Sequence, residues 1–308
     1  MVDTAAHEHD GRGLDMSEPL APVSPNSSGS VSVMRAANAQ VRPAVAVLMT
    51  AYNADATIQE AVSSILNGTE PCDLYVVDDC SRNPASRLLD NSDKRINVIR
   101  LDTNVGPGRA RNHGLERILQ NNYPYVAIMD ADDIAYPERL AKQREFLDSH
   151  PNVGAVGTWA RFIDEQTRAT VFYHCTPVAE RDARDVLYFN SPIVHPSSLM
   201  RADALRAVGG YDQRFRTAED YELFQRIAAH YDIANIPECL LDYRMSPHGQ
   251  SLGNRHRQLT DRLKIQWLYF NPLRWRAWAG MGWTLMLYAL PNKWLISLKS
   301  TLKRGPVL

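Results

Sequence analysis

The chain has 308 residues and 44% hydrophobic content, enough to bury the core of one large or two modest domains. Its formal net charge of −1 gives no global attraction to nucleic acid. Four scattered cysteines, Cys72, Cys80, Cys175 and Cys239, contain no CxxC pair, which argues against a zinc site or disulfide framework and points to a reducing compartment.

Residues 1–43 are rich in Ala, Ser, Pro, Asn and Gly, hold no apolar run of signal-peptide length, and read as a disordered tail. The continuous apolar run Ala44–Thr50 then predicts a central parallel strand, broken by Ala51-Tyr52-Asn53-Ala54-Asp55. Ile58, Val62, Ile65 and Leu66 follow at helical spacing. Leu74–Val77 predicts a second strand, ended by Asp78-Asp79-Cys80-Ser81, with Cys80 expected to be a buried structural thiol. Ile96–Leu101 predicts a third strand. The turn Asn104–Gly108 leads into a helix bearing Leu115, Ile118 and Leu119, and Tyr125–Met129 predicts a fourth strand. Pro137 suits the first turn of a helix reaching Ser149, and Val153–Trp159 predicts a fifth strand. This alternation implies a doubly wound, mostly parallel α/β sheet. The second half is less regular: a hairpin over Phe162–Phe172, a strand within Ile193–Arg201, a short helix ending at Gly209-Gly210, and a helix opened by Thr217–Asp220 that buries Leu223, Phe224 and Ile227.

The segment Asp130-Ala131-Asp132-Asp133 places three carboxylates straight after a buried strand, where open α/β sheets bind ligands. Asp130 and Asp132, two apart, project to one side if the segment is extended. Adjacent carboxylates repel unless a cation neutralises them, and a hard divalent ion bridging them to a phosphate does so. The residues thus point to a metal-dependent enzyme acting on a diphosphate. Polar residues also follow the other strands: Tyr52 and Asn53, Asp78 and Asp79, and Asn104 through Arg109 and Arg111. Each such group alone is often a turn or a cap. Four at successive strand ends are hard to explain structurally. Glu219-Asp220, at a predicted helix start, is by itself equally well read as dipole compensation.

Five segments in order carry a resemblance: VAVLMTAYN at 45–53, YVVDDCS at 75–81, NVGPGRARNHG at 104–114, AIMDADD at 127–133 and VGGYDQRFRTAEDYELFQR at 208–226. The chain resembles family 2 glycosyltransferases of the GT-A fold over roughly residues 44 to 250. The resemblance implies an inverting transfer from a nucleotide-diphosphate sugar, with a UDP-sugar the expected donor. It implies that Ala51, Tyr52 and Asn53 border the nucleotide, that Asp78 or Asp79 holds base and ribose, and that Arg111 supports that pocket or the diphosphate. Asp130 and Asp132 match the family's DxD pair, with Asp132 the main ligand of Mn²⁺ or Mg²⁺ and Asp130 nearer the ribose. Asp220 matches the general base, with Glu219 orienting it or the acceptor. Two departures stand out: Thr50-Ala51 precedes Tyr-Asn where many relatives have proline and threonine, and Cys80 stands where glycine is usual.

His248 sits in a segment resembling the Tyr-Arg…His loop of relatives and is a candidate for the metal or diphosphate; His195 reads more readily as structural. Residues 256–308 form a helical segment holding five of six tryptophans, after a catalytic domain at 44–255. Ala277–Leu290 is apolar apart from Thr284 but too short to span a bilayer, which takes roughly 20 residues. With Arg274, Arg276, Lys293, Lys299, Lys303 and Arg304 around it, the segment fits either an interfacial helix on anionic lipid or a helix packed on the catalytic domain. The expected enzyme is cytoplasmic, peripheral on the inner face of the plasma membrane, and takes a saccharide or lipid-linked acceptor in bacterial polysaccharide or glycoconjugate assembly. The alternatives are a catalytically retired nucleotide-sugar-binding protein and a sugar-phosphate nucleotidyltransferase. The chain has neither the Gly-rich phosphate loop that the latter favours after the first strand nor the GxGxxG of a Rossmann dehydrogenase there.

Overall fold

The computed structural model describes residues 42–245 and 255–289. The tail up to residue 41, His248, Trp294 and the basic residues from Lys293 onward lie outside the described residues.

Strand β1 (Val45–Ala51) lies between β2 (Cys72–Asp78) and β4 (Tyr125–Asp130), with β3 (Ile96–Arg100) beyond β2, all parallel. Val47 sits opposite Leu74 on one side and Ala127 on the other. Side chains alternate across a strand, and β1 shows the consequence. Val45, Val47 and Met49 join one core with α1 (Ile58–Leu66) and α4 (Arg139–Ser149). Ala46 and Leu48 join another with α3 (Pro107–Gln120). Both faces are covered, so the strand reads as an unbroken apolar run. Helix α3 approaches so closely at Gly114 that a Cβ there would lie 2.3 Å from Leu48 Cδ1. The short helix α2 (Ala85–Leu88) packs against α1 and β3, the edge strand.

Beyond β4 the sheet becomes mixed. After β5 (Ile134–Ala135) come β6 (Val153–Asp164) and β7 (Thr170–His174), which form the expected hairpin, although β6 is one continuous strand where two separate elements were expected. Helix α5 (Glu180–Val186) follows. The strand expected within Ile193–Arg201 is mostly a 3₁₀ turn, His195–Ser197; only β8 (Leu199–Arg201) pairs, antiparallel to both β4 and β6. Pro196 cannot donate to a ladder, and Ser197 and Ser198 bond the backbone of the same turn. Helices α6 (Ala202–Val208) and α7 (Glu219–Ala228) follow, and α6 ends on Gly209 at φ 82°.

The element the sequence did not announce is β9 (Asp232–Met245), parallel to β6 and paired at its far end with β5. Pro237 interrupts its pattern, and the structure absorbs the break as a register shift between Thr158 and Trp159. Under the sheet centre, Gln143 donates to Val156 O (3.0 Å) and Ser197 O (2.7 Å), while the fully buried Arg139 donates to Ile128 O (2.8 Å). These side chains tie β4, β6 and the 3₁₀ turn together where ladder bonds are missing.

Helices α8 (Arg255–Leu268) and α9 (Trp275–Ala289) close the described chain. Leu259 and Ile265 of α8 are buried, as is a small-residue face of α9: Ala277, Gly280 and Thr284. A Cβ at Gly280 would lie 1.8 Å from Tyr188 O, so only glycine allows that approach. The packed-helix reading of this segment is realised for one face, while Trp267, Leu273, Trp275 and Trp278 are 69%, 92%, 68% and 61% exposed. No described helix is long and apolar enough to cross a membrane.

Candidate active site

The C-terminal ends of β1, β2 and β4 bring the expected polar residues to one edge. Tyr52 is exposed, and Asn53 takes φ 52°, a conformation its short side chain tolerates. Asn53 N donates to Ser81 Oγ (3.0 Å), and its Oδ1 accepts from Arg82 N (2.9 Å), which joins the first two strand ends.

Asp78 and Asp79, expected to hold base and ribose, both accept hydrogen bonds from the turns around them. Asp78 is fully buried; it accepts from Ser81 N (2.8 Å), Ala85 N (3.0 Å) and Arg100 Nη1 (2.6 Å). Burial alone raises a carboxyl's pKa, but those donors outweigh it and Asp78 is held below its ordinary value. Asp79 accepts from Val105 N (2.8 Å), Gly106 N (2.9 Å) and Asn104 Nδ2 (3.0 Å), fixing the loop before α3. Both carboxylates hold turns and so shape the backbone around them. Cys80 adopts φ 62°, which accounts for glycine being usual there; it is half-buried rather than buried, its thiol 3.3 Å from Asp102 O.

Asp130, Asp132 and Asp133 converge, each with a potential ligand atom within 4.8 Å of the others. A turn, with Asp133 N on Asp130 O (3.3 Å), brings them together rather than strand alternation, because β4 ends at Asp130. Asp132 faces outward; desolvation and the neighbouring Asp130 raise its pKa to about 6. Asp133 is buried, accepts Arg244 N through Oδ1 (2.9 Å), and leaves Oδ2 buried without a partner. Its pKa is well raised by burial and by Asp132. Asp133 therefore anchors β9 from beneath, while Asp130 and Asp132 remain reachable. Clustered carboxylate oxygens are a donor set for a hard divalent cation.

Arg111 is the hinge of the site. Its buried guanidinium donates to Asp130 Oδ1 (2.8 Å) and to Glu219 Oε1 (3.1 Å), 108 residues further along. Burial works against its charge, but Asp130, Tyr211 and Glu219 outweigh that and raise its pKa. Glu219 opens α7; burial first, then Asp220, pushes its pKa up to about 7 against the pull of Arg111. Asp220, beside it, is half-buried and raised by desolvation, opposed by the Tyr221 amide, Arg111 and Arg262. Arg262 comes from α8, so the C-terminal helices reach this acidic pair.

His195 lies in the core, its Nε2 2.9 Å from Tyr211 Oη and its ring edge-on to Tyr211 and Phe224. These are the contacts of a packed core histidine. Arg262, Arg244 and Asp133 were not anticipated as site residues. Three carboxylates in four residues hinted at Asp133, and Arg244 stood beside the His248 motif. Nothing local distinguished Arg262.

The sequence profile of Glycosyl transferase family 2 matches residues 46–209. An uncharacterized glycosyltransferase, MJ1057, of Methanocaldococcus jannaschii is 30% identical over 235 residues, covering 74% of this chain and 77% of its own. The succinoglycan biosynthesis protein ExoU of Rhizobium meliloti is 30% identical over 239 residues, covering 70% and 65%. Among solved structures, S. aureus TarS 1–349 in complex with UDP-GlcNAc superposes with TM-score 0.60 at 18% identity, covering 84% of this chain and 73% of that one. The mannosyltransferase PcManGT of Pyrobaculum calidifontis, in complex with GDP-Man and Mn²⁺, gives TM-score 0.55 at 19% identity, covering 85% and 81%. The mixed, mostly parallel sheet with helices on both faces is that GT-A-like fold. The chain therefore belongs to glycosyl transferase family 2, a family of inverting glycosyltransferase enzymes.

Proposed function

We propose that the protein transfers a sugar from a nucleotide-diphosphate donor, a UDP-sugar, to an acceptor hydroxyl in bacterial polysaccharide assembly. The observation that carries this reading is Arg111: one guanidinium holds Asp130 of the acidic turn and Glu219 of the α7 pair, which makes the two motifs one site. Ala51, Tyr52 and Asn53 border the nucleotide, with Asp78 and Asp79 shaping that pocket through the turns they fix. Asp130 and Asp132 hold Mn²⁺ or Mg²⁺, and a bound divalent ion supplies Lewis-acid neutralisation of the departing diphosphate.

Asp220 takes the proton of the acceptor hydroxyl as its oxygen bonds to the anomeric carbon. The bond from that carbon to the diphosphate oxygen breaks, and the nucleoside diphosphate leaves with the electron pair. Attack opposite the leaving group inverts the centre, and one carboxylate suffices as base. Glu219, fixed by Arg111, orients Asp220 or the acceptor. The exposed tryptophans of α8 and α9, with Arg274 beside them, suit an anionic lipid surface and hence a lipid-linked acceptor at the inner face of the plasma membrane.

The test is calorimetry of UDP, GDP, TDP and CDP with and without Mn²⁺. UDP binding that requires the metal and is lost in Asp132→Ala is expected. No metal-dependent binding of any nucleotide would overturn the donor assignment.

A further inference from the structure

A cavity of about 290 Å³ opens beside the acidic pair rather than at the Asp130–Asp133 turn, and the two share no lining side chain. Its walls come from the first turn of α3, the loop 212–217 and α8. Gly108 connects it to the site: a Cβ there would lie 3.4 Å from Glu219 Cγ. Three arginines line it, Arg109, Arg216 and Arg257, one from each wall. Among the described residues, none of the three has a hydrogen-bond or ion-pair partner. One acid lines the cavity, Asp212, and it is already held by Arg214 at 2.6 and 2.8 Å.

The walls are fixed rather than loose. Phe215 is buried in the core, and Thr217 Oγ1 donates to Asp261 Oδ2 of α8 (2.8 Å), which locks the loop to the helix carrying Arg257. The three residues are exposed and stand one on each wall, while Arg214 beside them has an acid of its own. An anion seated in the cavity would have all three within its lining. Guanidinium forks match phosphate oxygens, and a tetrahedral group offers oxygens to three walls where a carboxylate offers two. A neutral saccharide hydroxyl requires none of this charge.

We propose that this cavity is an anion subsite that takes a phosphate or diphosphate group carried by the acceptor. The inference rests on the glycosyl-transfer reading, because Glu219 next to Gly108 puts the cavity on the base side of the site.

Calorimetry of the full chain with inorganic pyrophosphate, in EDTA so that no metal joins it to Asp130 and Asp132, tests the subsite. Saturable binding is expected, weakened at least tenfold in the double variant Arg216→Ala/Arg257→Ala and unchanged in Asp132→Ala. Binding that survives the double variant, or is lost in Asp132→Ala, overturns the proposal. So does displacement of pyrophosphate by UDP with Mn²⁺, which would assign the cavity to the donor, or by glucuronate at equal concentration, which would assign it to a carboxylate. Farnesyl diphosphate and glucose 1-phosphate separate the sources. Both compete at this subsite, and a tenfold preference for one assigns the group to a lipid carrier or to a phosphosaccharide. Metal-dependent UDP binding is measured on the same double variant. Its retention shows that the donor site stands whether or not the subsite does.

Discussion

The two regions that meet at Arg111 are built by opposite means. On the proposed donor side, β1, β2 and β4 each deliver their polar residues within a few positions of the strand end, and short turns hold them: Asp79 grips residues 104–106, Asn53 grips Arg82. On the proposed acceptor side, Glu219 and Asp220 reach the site only because α7 is packed over the sheet, and Arg257 and Arg262 arrive from a helix some forty residues later. A site of local turns is rigid and tolerant of change elsewhere. A site assembled from distant helices depends on every contact that orients them.

That comparison can be broken at several points. The largest effect is expected from Asp220→Asn: turnover falls by about 10²–10⁴-fold, the range of a lost general base, while metal-dependent nucleotide binding stays within threefold. Undiminished turnover with intact binding would remove Asp220 from the mechanism. Asp132→Ala is expected to act on the other side, weakening Mn²⁺-dependent nucleotide binding at least tenfold by calorimetry with little change in thermal stability.

Arg111→Ala cuts the link itself. It leaves Asp130 and the buried Glu219 without their cation, and breaking a buried pair from one side costs about 3–5 kcal/mol. Urea unfolding should show a loss of that order; a loss below about 1 kcal/mol would mean the two halves are held by other contacts.

Glu219 gives a pH test. Its pKa is raised from 4.5 to about 7, so the folded protein keeps a proton that the unfolded chain releases. The stability this confers is full below 4.5 and is lost as pH rises toward 7. Melting curves of wild type and Glu219→Gln should therefore diverge over that window, with the wild type losing ground, and run parallel above it. Curves parallel throughout would show that Glu219 titrates normally. The smallest effect concerns the outer face: Trp275→Ala/Trp278→Ala should reduce flotation with anionic vesicles several-fold while leaving nucleotide binding unchanged. Wild-type protein that never floats would return this face to other partners.

The donor half was legible because its signals are local. A buried parallel strand is an apolar run whatever its neighbours, and polar residues straight after it fall at the ligand-binding edge. Local signals did not show every contact. Asp78 and Asp79 accept backbone amides of the turns beside them, since a carboxylate next to a tight turn finds those donors first. The acceptor half was legible only as a motif. Strand β9 was missed because Pro237 breaks its pattern and a neighbour's register shift repairs it.

By itself the sequence determined the alternating α/β core, the acidic turn after the fourth strand, the Glu219-Asp220 helix start and the family. These depend on periodicity and on residue types a few positions apart. Only the tertiary structure decided that Arg111 joins Asp130 to Glu219, that β9 is anchored on Asp133, and that three arginines from three elements face one cavity. Those pairings span up to about 150 residues and are set by how helices pack on a twisted sheet, which no local pattern encodes.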